Sequence, residues 1–204
     1  MHEFTPWPKT ARLFRDVVVT EKLDGTNSAV HISRLTGGWE DYPPESYSLV
    51  VDGVRYIVTA QSRKRLIWPG KATDNYGFAA WVYDNARDLV RLLGEGRHYG
   101  EWWGAGIQRG YDQPGKRFSL FNTERHGDTS EIIGGSMVQS VPKLYEGTFS
   151  EPSILAELNN LREYGSVAAP GFPTPEGLCV FHTALGRVAK VTLDANDAGK
   201  WEGA

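Results

Sequence analysis

Cysteine is nearly absent from this chain. Cys179 is the only one in 204 residues, so an internal disulfide framework and a cysteine-rich zinc site are both excluded. No apolar run approaches the roughly 18 residues that a membrane-spanning helix needs. The first residues, from Met1 to Phe14, contain no apolar leader segment, and a cytoplasmic location is the expectation. Charge of one sign is also scarce: 22 Lys+Arg oppose 25 Asp+Glu, a net of −3. A protein that holds nucleic acid through bulk positive charge would not look like this. Low-complexity blocks, heptads and internal repeats are missing.

Aromatics and glycine are plentiful, with 7 Trp, 9 Tyr, 8 Phe and 23 Gly. That mixture suggests short strands joined by tight turns. Residues 17–22 and 29–35 read as strands around a turn at 24–27. Residues 47–51 and 54–60 flank Asp52-Gly53, a two-residue hairpin signal. Further strands are expected at 99–103, 118–121, 178–182 and 188–193. Phe78, Trp81, Val82, Leu89 and Leu93 share one helical face, with Gly94 or Gly96 as its stop. Ile154, Leu155, Leu158 and Leu161 mark a second helix that Ser150 can cap and Gly165 can end. Residues 168–175 hold three prolines and read as loop. Strands and helices intermix without βαβ alternation, so the expected class is α+β with antiparallel sheets.

Two glycine-rich stretches imitate phosphate-binding motifs. Gly110 to Arg117 nearly spells a P-loop, but Arg117 stands where a Ser or Thr would hold magnesium, and a strand-like segment follows where a helix should. Gly104 to Gly110 has one residue too many for a dinucleotide fingerprint.

The informative segment is Thr20-Glu21-Lys22-Leu23-Asp24-Gly25-Thr26-Asn27. A lysine that ends an apolar strand can be desolvated, which favours the neutral, nucleophilic amine. For an isolated motif the commoner outcome is that it extends its ammonium to water. Alone the motif is weak, but it has company. Ser62-Arg63-Lys64-Arg65 follows the hairpin. His98-Tyr99-Gly100-Glu101-Trp102-Trp103-Gly104-Ala105-Gly106-Ile107-Gln108 comes next, then Phe118-Ser119-Leu120-Phe121-Asn122. Pro175-Glu176-Gly177-Leu178-Cys179-Val180 and Arg187-Val188-Ala189-Lys190-Val191-Thr192 close the series.

In this order the segments resemble the motifs of the covalent lysine nucleotidyltransferases, and most of all the stand-alone ATP-dependent RNA ligases of viruses and bacteria. The resemblance spans about residues 17 to 193. It implies a nucleotidyltransferase (ATP-grasp-like) domain of antiparallel sheets with flanking helices around a nucleotide pocket. It also implies a reaction in which Lys22 takes AMP from ATP and passes it to a 5′-phosphate RNA end, which is then sealed to a 3′-hydroxyl. Lys190 and Glu176 join Lys22 as catalytic residues. The backbone at Glu21, with Asp24, Asn27, Arg63, Glu101, Phe121 and Lys190, would bind the nucleotide. Glu176 and Asp24 would hold Mg2+ or Mn2+. Val188 stands where many members carry another lysine, and strand alternation turns Arg187 to the opposite face.

Only 14 residues follow Lys190, so the expectation is a single nucleotidyltransferase domain over residues 1–204 without a C-terminal OB-fold. RNA ends or a nicked duplex are the implied substrates. A protein partner could supply further RNA binding. Candidate basic patches are Lys9, Arg12 and Arg15; Arg63, Lys64, Arg65 and Lys71; and Arg109, Lys116 and Arg117. Each is equally readable as solvated surface charge. Trp68, Trp102 and Trp103 could stack on bases or line the core. His2, His31, His98, His126 and His182 show no metal-ligand spacing and read as structural, and Cys179 reads as a small core residue. An end-adenylating enzyme, a small DNA ligase and a non-catalytic nucleotide-binding module remain the alternatives.

Overall fold

The computed structural model describes residues 3–7 and 9–193; His2 lies outside them. The chain forms two compact units, one from Met1–Lys22 and Pro142–Ala204, the other from Leu23–Val141.

The first unit contains strands β1 (Asp16–Lys22), β10 (Lys143–Thr148), β11 (Gly177–His182) and β12 (Arg187–Thr192), with helix α4 (Glu151–Tyr164). The strands form an antiparallel sheet in the order β10-β1-β11-β12. β1 alternates: Val17 and Val19 pack with Leu178, Val180 and the α4 residues Ile154, Leu158 and Leu161. Even-numbered residues therefore face away from α4. Ser150 caps the helix by accepting the Ser153 amide, and Gly165 closes it with a backbone bond to Leu161, as its sequence predicts. Cys179 departs from expectation. It is half-buried, because its register opposite Thr20 places it on the face away from α4.

The second unit is an eight-stranded mixed sheet. Its strands are β2 (Thr26–Arg34), β3 (Tyr47–Val51), β4 (Val54–Ser62), β5 (Leu66–Ile67), β6 (Gly96–Gly104), β7 (Lys116–Leu120), β8 (Ser130–Ile133) and β9 (Ser136–Ser140). Helices α1 (Phe78–Asp84), α2 (Ala86–Leu93) and α3 (Thr123–His126) accompany it. The β3–β4 hairpin turns at Asp52 and Gly53, both at positive φ, as Asp-Gly demands. One side of the sheet supplies Val30, Ile32, Trp102, Phe118, Leu120 and Val138 to a core shared with Phe78, Trp81 and Leu89.

Several expectations need correcting. The turn expected at 24–27 is shorter, since β2 already starts at Thr26, and it joins strands of different sheets. The single helix expected across 78–93 is two helices. Asn85 breaks it at φ −116°, ψ 19°, its side chain donating to the Trp81 carbonyl, the local competition typical of asparagine. β7 and β9 run parallel, so this sheet is mixed. Gly110–Asp112 forms a short 3-10 turn leading into β7, and no helix follows that could support a P-loop. Trp102 and Trp103 are core residues, 1% and 0% exposed, which removes them as base-stacking platforms; Trp68 is partly exposed. No described helix is long and apolar enough to cross a membrane.

Candidate active site

Lys22 is the last residue of β1 and points to the face away from α4. Its Nζ lies 2.5 Å from Oε1 of Glu176, and both side chains are largely buried. Glu176 precedes β11, and its carbonyl accepts the Leu193 amide beyond β12. The other oxygen of Glu176, Oε2, is buried without a hydrogen-bond partner among the described residues, an acceptor that calls for an explanation. Gly177 must be glycine: φ is 147°, and a Cβ there would lie 2.2 Å from the Val191 carbonyl oxygen.

Lys190 is exposed on β12, directly opposite Cys179, which is itself opposite Thr20. Lys22, Cys179 and Lys190 thus share a face of the four-stranded sheet. Val188 shares it as well, whereas Arg187 falls on the other face, opposite His182. Glu21 turns away from this face and is 1% exposed. Its backbone N–H donates to the Pro142 carbonyl, and its carboxylate accepts from Ser166 Oγ and the amides of Val167 and Ala168. Burial pushes this carboxyl above its ordinary range, while the three donors pull it back.

The remaining expected residues belong to the eight-stranded unit. Asp24 accepts from Arg109 Nε at 2.9 Å, and its amide donates to the Tyr111 hydroxyl. Gly25 donates its amide to Glu101 Oε1 at 3.2 Å. A Cβ on Gly25 would lie 2.5 Å from the Trp102 carbonyl oxygen, so only glycine lets the strand approach this closely. Asn27 stands directly across from Glu101, and Glu101 across from Ser119, giving one polar row. Phe121 follows β7, is 40% exposed and donates its amide to Tyr99. Arg63 lies exposed in the tight turn between β4 and β5.

The third basic patch is partly absorbed by the fold. Arg109 holds Asp24, Arg117 lies 5.6 Å over the Trp103 ring, and Lys116 donates to the Tyr76 carbonyl. Tyr111 went unnoticed in the sequence. It is fully buried at φ 52° against Trp103, and nothing in its neighbours' residue types signals that conformation. His98 and His126 contact each other at 3.2 Å, and burial lowers the His98 pKa to about 4. No cluster of three or more metal-binding side chains occurs among the described residues.

The RNA ligase family model matches residues 15–203. The chain belongs to the RNA ligase family. No curated protein matches this RNA ligase family member. Its fold is similar to solved Naegleria gruberi RNA ligase structures. An apo mutant matches with a TM-score of 0.50 at 17% identity, over 87% of this chain and 49% of that one. A mutant with AMP and Mn gives 0.53 at 16%, over 88% and 50%. The ligase with PPi gives 0.51 at 17%, over 87% and 49%. At these identities the likeness is one of fold, and the chain spans about half the length of each neighbour.

Proposed function

We propose that residues 1–204 act as a single nucleotidyltransferase domain of an ATP-dependent RNA ligase, with Lys22 as the acceptor of AMP. The observation that carries this reading is the pairing of Lys22 with Glu176 beside a buried, unpartnered carboxylate oxygen. Binding a nucleotide does not by itself require a nucleophile, and the Lys22 amine is one once it is uncharged.

In the proposed first step the uncharged Nζ of Lys22 attacks the α-phosphorus of ATP. The N–P bond forms, the bond to the bridging oxygen breaks, pyrophosphate leaves and the amine gives up a proton. AMP then passes to a 5′-phosphate, and a 3′-hydroxyl displaces it to seal the strands. Lys190 would oppose charge on the transferring phosphoryl group. Glu101 and Asn27 suit ribose hydroxyls, Phe121 suits stacking on adenine, and the Glu21 backbone suits the base edge. Arg63 suits two phosphate oxygens.

A divalent cation, Mg2+ or Mn2+, would neutralise phosphate charge when bound. Glu176 fits it best, since Oε2 has no other partner. Asp24 offers a second carboxylate, one oxygen of which already accepts from Arg109. Few protein donors are needed, because such ions keep waters and substrate phosphates as ligands. The Naegleria gruberi neighbours with AMP and Mn and with PPi support this choice of ligands. RNA ends or a nicked duplex are the proposed substrates, and a partner protein could contribute further RNA contact.

The test is incubation with labelled ATP or GTP and Mg2+, followed by denaturation. We expect covalent AMP on the wild type, no GMP adduct, and none with Lys22→Ala. Label lost on denaturing the wild type would overturn the proposal. Sealing of nicked DNA but not RNA would transfer the activity to the small DNA ligases.

A further inference from the structure

We propose that the buried carboxylate of Glu21 is a positioning residue that fixes the aim of Lys22 by clasping the turn at 166–168. This rests on the nucleotidyltransferase reading only for its catalytic consequence.

Successive strand residues point to opposite faces, so the orientation of Glu21 sets that of Lys22. Glu21 is held on three sides. Ser166 Oγ donates to Oε1 at 2.5 Å, and the Val167 and Ala168 amides donate to Oε2 at 2.9 and 2.8 Å. The turn is itself braced: Ser166 Oγ accepts the Ala169 amide, the Ser166 amide donates to the Phe172 carbonyl, and the Phe172 amide donates to Ala169. Gly165, just before it, ends α4 on the Leu161 carbonyl. This loop runs on to Glu176, the partner of Lys22. One carboxylate therefore ties the strand end carrying Lys22 to the start of the loop that leads to Glu176.

No contact with a ligand is needed for this role. A carboxylate buried at this depth with two backbone amides is a costly arrangement, and a neutral side chain of similar shape could fill the space. What the carboxylate adds is direction, because three convergent donors define its position. Misplacing an attacking amine by about 1 Å can cost about a hundredfold in rate.

The test compares Glu21→Ala, Glu21→Gln and Ser166→Ala by two measurements. In single-turnover adenylation, Glu21→Ala should slow the rate at saturating ATP by about a hundredfold, with the half-saturating ATP concentration altered less than about threefold. Glu21→Gln should recover to within about fivefold, since its oxygen still accepts an amide and its nitrogen can donate to Ser166 Oγ. The second measurement omits ATP: acetic anhydride labelling of Lys22 at neutral pH, read by mass spectrometry. Glu21→Ala should raise it as much as Glu176→Gln does, because both release the amine from its partner.

A folded Glu21→Ala protein with unchanged labelling, or with adenylation within about threefold of wild type, overturns the proposal. So does a change confined to the half-saturating ATP concentration. If Glu21→Ala does not fold, Ser166→Ala decides by the same criteria. If the wild type forms no adduct, the ligase reading fails while the labelling measurement still judges the clasp.

Discussion

The two compact units treat buried polarity in opposite ways. The four-stranded unit, with its small aliphatic core of Val17, Val19, Leu158, Leu161, Leu178 and Val180, buries a carboxylate and satisfies it with three donors. The eight-stranded unit is built around packed aromatic rings, with Trp81 stacked on Trp102 at 4.9 Å between centres and Phe78 tilted against Phe118 at 5.1 Å. Its buried histidines, His98 and His126, are pushed by burial towards the neutral imidazole. Large rings fill space with few side chains and tolerate no truncation, whereas an aliphatic core can partly close over a gap. The residues proposed for covalent chemistry lie in the aliphatic unit, and most of those proposed for nucleotide recognition lie in the aromatic one.

Truncating the two cores should expose that contrast most strongly. Trp102→Ala should destabilise the eight-stranded unit by about 3–5 kcal/mol, and Leu158→Ala the four-stranded unit by about 2–4 kcal/mol. Denaturant titration combined with native-state hydrogen exchange, read separately over each unit, would check this. Equal losses would remove the distinction between the cores.

Acid comes next. The folded His98 pKa is depressed from 6.5 to about 4. Between those values the unfolded chain binds a proton that the folded ring refuses. The stability this histidine contributes at neutral pH is therefore lost as pH falls from about 6.5 towards 4, to the extent of about 3 kcal/mol. His126 shifts the same way, through burial and the Arg125 charge. Glu21 has the opposite sign: its raised pKa lets the folded carboxyl keep a proton at a pH above 4.5 where the unfolded one has lost it. Mild acidification should then loosen exchange protection around His98 and spare the strands around Glu21. His98→Phe should flatten the response of the eight-stranded unit.

The smallest effect concerns ion pairs. Arg109→Ala frees Asp24, and adduct formation should fall about tenfold, the consequence of a partly buried charge losing its partner. Lys143→Ala removes an exposed pair with Glu146 and should alter neither stability nor adduct yield measurably. Similar results for the two variants would show that the Asp24 pair is no better than a surface contact.

Much of this was legible in the chain. The α+β class, the Asp52-Gly53 hairpin and α4 between Ser150 and Gly165 follow from local residue chemistry that the fold leaves intact. The helix break at Asn85 was less visible, because the apolar spacing continues across it and only the asparagine side chain interrupts the ladder. The parallel β7–β9 pairing and the strands β8, β9 and β10 were invisible, since strand partners are chosen by distant segments. At the site, the spacing of Lys22, Glu176 and Lys190 could be listed but not the register that puts Lys22, Cys179 and Lys190 on one face. Cys179 was misread for that reason: a strand's alternation tells which residues share a face, but not which face meets the helix.

The sequence by itself determined the inventory: the amine, the carboxylates, the glycines that permit close approach, and the order in which they occur. Those depend on residue type and local spacing, which a chain carries wherever it folds. Only the tertiary structure decided that Glu21 turns inward to hold a turn about 145 residues away, that Arg109 is bound to Asp24, and that two tryptophans belong to the core. Such pairings depend on which remote segments can exclude water together, and no local pattern records that.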